Sequence, residues 1–247
     1  MLKQIEINAD IGEWENNLGR ITDEEIMPYI TSANIACGFH AGHYDVMDQT
    51  VQLAIKHKVK IGAHPGYPDK EGFGRLSKNY SESEIRNQML YQIGALQGIA
   101  RYRGATLNHV KPHGALYNQG AQDYKIARAI AESIASFGET VYLIGLPESE
   151  LTVAADKIGV PFMNEVFSDR HYEADGTLVA RSKTNALIES ITEVKKHIES
   201  IVQKREIVAV SGEIVAIQAD TICVHGDGKE SVEIAKMIYN YLKSVGR

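Results

Sequence analysis

Short apolar runs alternate with stretches of helical period about seven times along this chain, and that alternation leaves few architectures open: a parallel sheet with helices outside it. Strands are expected from Ile5 into Asn8–Glu13, where the first ends, and at Ser32–Cys37, Val59–Ala63, Leu107–Val110, Val141–Gly145, Val160–Phe167 and Thr221–Val224. Helices are expected from Thr22 to about Ile30, across Val46–Ile55, from Ser81 to about Tyr102, over Ala121–Phe137, Glu148–Lys157, Thr184 to about Gln203, and Gly228–Val245. Residues 14–22 and the glycine-rich Glu71–Arg75 read as loops, and Glu206–Ile217 reads as a hairpin about Ser211 and Gly212. Two layouts satisfy this order, an open doubly wound sheet and a closed barrel. Polar residues follow strands one, two, three, four, six and seven rather than one switch point, which favours a closed barrel.

A chain of 247 residues, 44% hydrophobic, is ample for one well-cored domain spanning 1–247. Its net charge of -6 argues against a nucleic-acid partner, which usually faces a basic patch. No apolar run approaches the ~20 residues of a membrane span, and the N-terminus enters an alternating strand with no leader, so a cytoplasmic location is expected. Cys37 and Cys223 lie at predicted strand ends and build no disulfide framework; they read as small buried fillers.

The chemistry gathers where strands end. Asn34–His43, Ile61–Gly66, Asn108–Asn118 and Ile222–Gly228 each run from a short apolar segment into Gly, His and Pro or Asp, and four histidine-bearing strand ends point to one shared site. Asp10 and Glu13 follow the first strand and can act as base or metal ligand; a helix cap or loop ion pair would use them equally. His40, His64, His113 and His225 suit acid–base work, ion binding or mutual hydrogen bonding. Asp10, His40 and His64, following the first three strands, form the metal-ligand set expected if a divalent ion binds. Lys111, beside Pro112, suits developing negative charge, with Asp10 handling water and Lys111 and His113 holding the reacting oxygen or a phosphate. Arg75, Arg170 and Arg181 suit a substrate carboxylate, or structural pairing with Asp69, Asp169 or Glu165. Tyr117 and Asn118 beyond the fourth strand, and Glu165 and Asp169 at the sixth, join the arginines as residues expected to bind substrate or phosphate. His225, Gly226, Asp227 and Lys229 precede a helix N-terminus suited to a phosphate-sized anion, although GxxxxGK[ST], GxGxxG and GxSxG are all absent.

Read together, Asn8–Glu13, Asn34–Gly42, Gly62–Asp69, Gly72–Arg75, Val110–Asn118, Glu165–Arg170, Asp175–Leu178 and Cys223–Asp227 resemble the LamB/YcsF family over essentially the whole chain. Two positions depart from the family pattern: Ile11 stands for the usual leucine, and His43 for the usual aspartate, with Asp45 nearby. The resemblance implies a seven-stranded, irregular TIM-like (β/α)7 barrel related to glycoside hydrolase and polysaccharide deacetylase barrels. It also implies opening of the lactam of 5-oxo-L-proline to L-glutamate with ATP, Mg being the nucleotide's counter-ion, in a 5-oxoprolinase whose further subunits are B and C. Two other classes remain open on the residues alone: a metal-dependent deacetylase or carbohydrate hydrolase, and a non-catalytic scaffold subunit.

Overall fold

A computed structural model describes residues 5–15, 17–225 and 230–246, with the side chains of residues 17 and 18 left aside. Seven parallel strands close a barrel: β1 (Glu6–Ile11), β2 (Ser32–Ala36), β3 (Lys60–His64), β4 (Leu107–Val110), β5 (Tyr142–Gly145) and β6 (Phe162–Phe167), followed, after the antiparallel hairpin of β7 (Glu206–Val208) and β8 (Ile214–Ala216), by β9 (Thr221–Val224). β9 pairs with both β6 and β1, so no strand of the barrel is left with an open edge. Barrel and hairpin are as expected from the alternation, and the fourth and last barrel strands begin and end at the expected residues.

Helices α1 (Asn17–Ile26), α2 (Tyr44–His57), α3 (Glu82–Tyr102), α4 (Gly114–Gln122), α5 (Tyr124–Ala135), α6 (Glu150–Ile158), α7 (Ile191–Lys204) and α8 (Ser231–Ser244) accompany the strands. In α3 the Ser81 hydroxyl accepts from the Glu84 N–H while the Glu84 carboxylate accepts from the Ser81 N–H, so the first turn's orphan donors are satisfied. Ile85, Met89, Ile93, Leu96 and Ala100 then fall on one face and are buried. Each large apolar residue so buried contributes roughly 1.5–3 kcal/mol.

Three expectations need correction. The first helix starts at Asn17 and not at Thr22, and a 3₁₀ turn, Met27–Tyr29, follows it. The stretch after Lys111 becomes helical at once: α4 and α5 replace a single helix from Ala121, and Asp123 ends one while its side chain accepts from the Lys125 N–H to cap the next. Residues 184–190 are not helical, and α7 begins only at Ile191. The expected start of the last helix at Gly228 lies outside the described residues.

The barrel interior is polar at its centre. Register places Asp10 beside Asn34 and Ala36 beside His64. Asn34 donates from Nδ2 to Asn8 Oδ1 and to Asp10 Oδ1, each at 2.8 Å, which turns its own Oδ1 toward His109 Nε2, also 2.8 Å away. Asn8 in turn donates to the Thr221 hydroxyl at 2.8 Å. Asn8, Asn34, His109 and Thr221 are all fully buried, so each bond replaces water that cannot reach them.

This packing needs Gly62. A Cβ there would overlap the His109 ring, whose Nε2 is held by Asn34 and cannot swing aside without leaving a buried donor unpaired. Gly62→Ala is therefore expected to lower unfolding free energy by at least about 1–3 kcal/mol, read from urea or thermal unfolding against the parent chain. An unchanged midpoint would mean that His109 is not fixed as described.

Candidate active site at the barrel mouth

Asp10, Glu13, His64, Lys111, His113 and His225 all stand at or just beyond the carboxyl ends of their strands, so the polar side chains converge at one mouth. At its floor is Lys111. Its buried ammonium lies 2.9 Å from Asp10 Oδ1, 2.9 Å from Glu165 Oε1, 3.0 Å from Cys223 Sγ and 3.3 Å from Asn8 Oδ1. Burial alone would discharge it, but the Asp10 charge, then the Cys223 and Glu165 groups, hold its pKa well above the usual lysine value. Burial pushes the Asp10 carboxyl the other way, and His64 and Lys111 overcome that to hold it well below the carboxylate range. Cys223 is thus more than filler: it touches the ammonium, and burial pushes its thiol well above the ordinary value. Cys37 is buried and donates to the Ile35 carbonyl.

Beside this ion group stand three imidazoles. His64 Nδ1 bonds the Lys111 carbonyl at 2.7 Å and His113 Nε2 bonds the Phe73 carbonyl at 2.8 Å; a carbonyl only accepts, so both nitrogens carry hydrogen. Their other nitrogens, His64 Nε2 and His113 Nδ1, face each other at 2.9 Å. Glu13 Oε1 lies 2.9 Å from His40 Nε2, 3.3 Å from His113 Nδ1 and 3.8 Å from His64 Nε2. The His40 and His113 rings stack in parallel with centroids 3.7 Å apart, whereas His64 stands at 90° to both. Burial works against the charged His64 ring, but the Asp10 and then the Glu13 carboxylate push its pKa up. His40 and His113 are pushed well below the ordinary histidine value, by burial first and by neighbouring imidazoles second.

The loop Glu71–Arg75 lies against these rings. Phe73, at φ +52°, sits in the left-handed region and presents both its carbonyl to His113 and its ring edge-on to His40 and His113. Gly74 follows at φ +63°, where a Cβ would lie 2.8 Å from carbons of both histidines.

On the opposite side of the mouth, Asp169 accepts from His225 Nδ1 at 2.8 Å, which leaves Nε2 to accept from Arg181 at 2.8 Å. Burial would raise the Asp169 carboxyl, but His225 lowers it on balance. Arg170 is buried and donates to the Val179 and Ala186 carbonyls, so it ties down residues 169–187 while one side lines the cleft; burial pushes its pKa down to about 10. Tyr117 is buried beside Glu165, and burial and that carboxylate together raise its phenol well above the ordinary value. Asn118 is exposed on α4 and lines the same cleft, as does Arg75, whose guanidinium lies over the Phe73 ring at 4.8 Å.

The cleft so bounded holds about 350 Å³, the small end of the range for small-molecule sites. Most of the expected residues thus meet at one place. His40 lies behind the cleft wall, Asp69 pairs with Lys78 at 3.6 Å, and Gly226, Asp227 and Lys229 lie outside the described residues. His43 is exposed, with Nδ1 accepting from the Asp45 N–H at the start of α2, so its departure from the family pattern is a matter of helix capping. Asp10 Oδ2 is 3.4 Å from His64, but the groups within ligand distance of one another are Glu13, His40, His64 and His113, with Asp10, Cys223 and His225 forming a second set. Residue-type reasoning passes over Asn8, Asn34 and His109, although each sits an even number of residues from a named group on its own or the adjacent strand, which is the period of a shared face.

A closed parallel barrel with ionised side chains converging at the carboxyl ends of its strands has the form of a barrel enzyme. The sequence profile of the LamB/YcsF family matches residues 5–247, and the chain belongs to that family. It is 45% identical over 243 residues, 98% of this chain and 97% of the relative, to a protein of Staphylococcus aureus (strain Newman) named as the A subunit of 5-oxoprolinase. The crystal structure of a lactam utilization protein from Thermus thermophilus superposes with a TM-score of 0.91 at 37% identity, covering 98% of this chain and 97% of that one. A putative cellobiose-phosphate cleavage protein from Enterococcus faecalis V583 shares the fold at a TM-score of 0.55 and 11% identity, covering 98% of this chain and 93% of that one. Among the described residues, no helix is long and apolar enough to cross a membrane.

Burial makes stability depend on pH in a definite direction. His109 is pushed from 6.5 down to about 3, by burial first and by Lys60 and Lys111 second, so below pH 6.5 the unfolded chain takes up a proton that the folded chain refuses. Stability from this residue is complete above 6.5 and falls as pH drops toward about 3. His64 has the opposite sign, stabilising at low pH and losing that contribution as pH rises through its raised pKa. Replacing His109 with Gln should flatten the acid limb between pH 6 and 4 by about 1.4 kcal/mol per pH unit, measured by denaturant unfolding across that range.

Proposed function

We propose that this chain is the A subunit of a 5-oxoprolinase, which opens the lactam of 5-oxo-L-proline to L-glutamate with hydrolysis of ATP and works with subunits B and C. The observation that carries this reading is the 45% identity to a protein of that name, running over nearly the full length of both chains. The site supplies compatible chemistry. A lactam carbon is a poor electrophile, and phosphorylating its oxygen would create a leaving group for an attacking water. Arg75 and Arg181, both exposed at the rim, suit the substrate carboxylate or a phosphate.

In this reading Asp10 orients the water. Its Oδ1 is occupied by Asn34 and Lys111, so Oδ2, 3.4 Å from His64 Nε2, is the atom that can also meet a water from the cleft. Held ionised well below neutrality, that oxygen accepts the water's hydrogen bond and aims it without keeping the proton for long. A histidine is the better terminus for the proton. His225, with Asp169 fixing its Nδ1 hydrogen, offers Nε2 once Arg181 turns to substrate, and a ligand atom of His225 lies within 4.8 Å of one of Asp10. Lys111 faces the developing charge from the floor.

Glutamate release from 5-oxoproline and ATP tests the assignment. The chain alone should show no appreciable turnover, and adding subunits B and C should restore it. Asp10→Asn should lower turnover of the assembled enzyme by about 10²–10⁴-fold with assembly intact. Robust turnover by the single chain, or full activity of that variant, would count against the division of labour.

A further inference from the structure

We propose that Glu13, His64 and His113 form a tetrahedral binding site for one divalent ion of the zinc class, with its open position toward the cleft. This stands apart from the proposed reaction, since the geometry alone raises it. His64 Nε2 and His113 Nδ1 lie 2.9 Å apart, yet each ring's outer nitrogen donates to a backbone carbonyl, Lys111 for one and Phe73 for the other. Two neutral rings so fixed would point lone pairs at each other. A cation has to lie between them.

A proton is the simplest such cation, carried on His64 and donated to His113. It satisfies that pair and faces Asp10 Oδ2 at 3.4 Å, but it leaves Glu13 unanswered. Glu13 Oε1 would still face the spent His113 Nδ1 at 3.3 Å, acceptor against acceptor, with His113 buried and Glu13 only partly exposed. A metal ion answers all three atoms together. Their separations are 2.9, 3.3 and 3.8 Å, and two ligands held about 2.0–2.1 Å from a tetrahedral zinc lie about 3.3 Å apart. The His64 and His113 planes are perpendicular, so both rings can address one centre in plane.

His40 has a different part. Its ring is parallel to His113 within 2°, so the two cannot both point in plane at one ion. His40 Nε2 instead donates to Glu13 Oε1 at 2.9 Å, and its Nδ1 is buried with no partner among the described residues. Each of the three ligands therefore has an outer partner fixing its orientation: a carbonyl for each imidazole and His40 for the carboxylate. Glu13, His64 and His113 line the cleft and His40 does not, so the fourth position opens where a small molecule or water can enter. The set Asp10, His40 and His64 expected from strand order shares only His64 with it.

Binding is read on the purified chain without partners or turnover, so its outcome is separate from that of the 5-oxoprolinase assay. Protein stripped with a chelator should take up one equivalent of Zn²⁺ in a titration against a chelating dye. His113→Ala and Glu13→Gln should each weaken uptake more than about 100-fold, while His40→Gln, which keeps a donor toward Glu13, should retain the ion. Should the variants fail to fold, X-ray absorption on the zinc-loaded parent chain decides by ligand count, with two imidazoles expected. No stoichiometric zinc, undiminished uptake by folded His113→Ala, or a count of one or three imidazoles would overturn the assignment.

Discussion

One buried ammonium sets the geometry on which the rest of the mouth depends. Lys111 leaves the end of β4 and meets Asp10 and Asn8 of β1, Glu165 of β6 and Cys223 of β9, so a single side chain braces four of the seven barrel strands. Such a group is no source of net stability. Moving ions out of water costs several kcal/mol each, and well-packed hydrophobic residues often serve a core as well or better. The helices and their apolar faces hold the fold; the ion group fixes where the strands end relative to one another, to within hydrogen-bond tolerance.

That fixing passes outward in steps. Asn34 takes its orientation from Asn8 and Asp10, and His109 takes its protonated nitrogen from Asn34. The Lys111 carbonyl selects the His64 tautomer, and the Phe73 carbonyl selects that of His113. The loop that supplies Phe73 holds a non-glycine residue in the left-handed region, a conformation that costs of order 1 kcal/mol and persists only where its surroundings enforce it. The strain is local, and its effect is to present one carbonyl to one imidazole.

Much of this is legible in the residues themselves, and the reasons are physical. Strand ends announce themselves because glycine and proline break the apolar run just where His64, Lys111 and His225 appear. Helix starts are harder. Asn17–Ile26 is short and carries few apolar residues and a glycine, and Gly114–Gln122 is short, opens on glycine and is rich in amides, so neither has the length and apolar content by which a helix stands out in sequence. The interior asparagines are hidden because an amide in a strand is usually taken for a turn signal, and only closure of the barrel shows Asn8, Asn34 and Thr221 facing one axis. The pairing of Glu13 with His113 joins residues from different strand ends directly, and no local pattern encodes that contact.

The two sides of the mouth differ in what they can offer a reactant. Toward β1, β3 and β4 the groups are buried, close together and held by fixed backbone acceptors, so their hydrogen positions are set before anything binds. Toward β6 and β9 Arg170 is buried, but Arg181 and His225 are more exposed, and Arg181 is tied to the site through one imidazole nitrogen. A rigid side suits the atoms where bonds change, because misplacement there costs rate directly, whereas a longer and more mobile guanidinium can follow a carboxylate or phosphate into place. On the proposed 5-oxoprolinase reading, substrate entering the cleft would lead with its reacting carbonyl toward Lys111 and Asp10 and leave its charged end with the arginines. The reverse orientation would set a carboxylate against Asp10, Glu13 and Glu165, three acidic groups that already share one lysine and the neighbouring imidazoles.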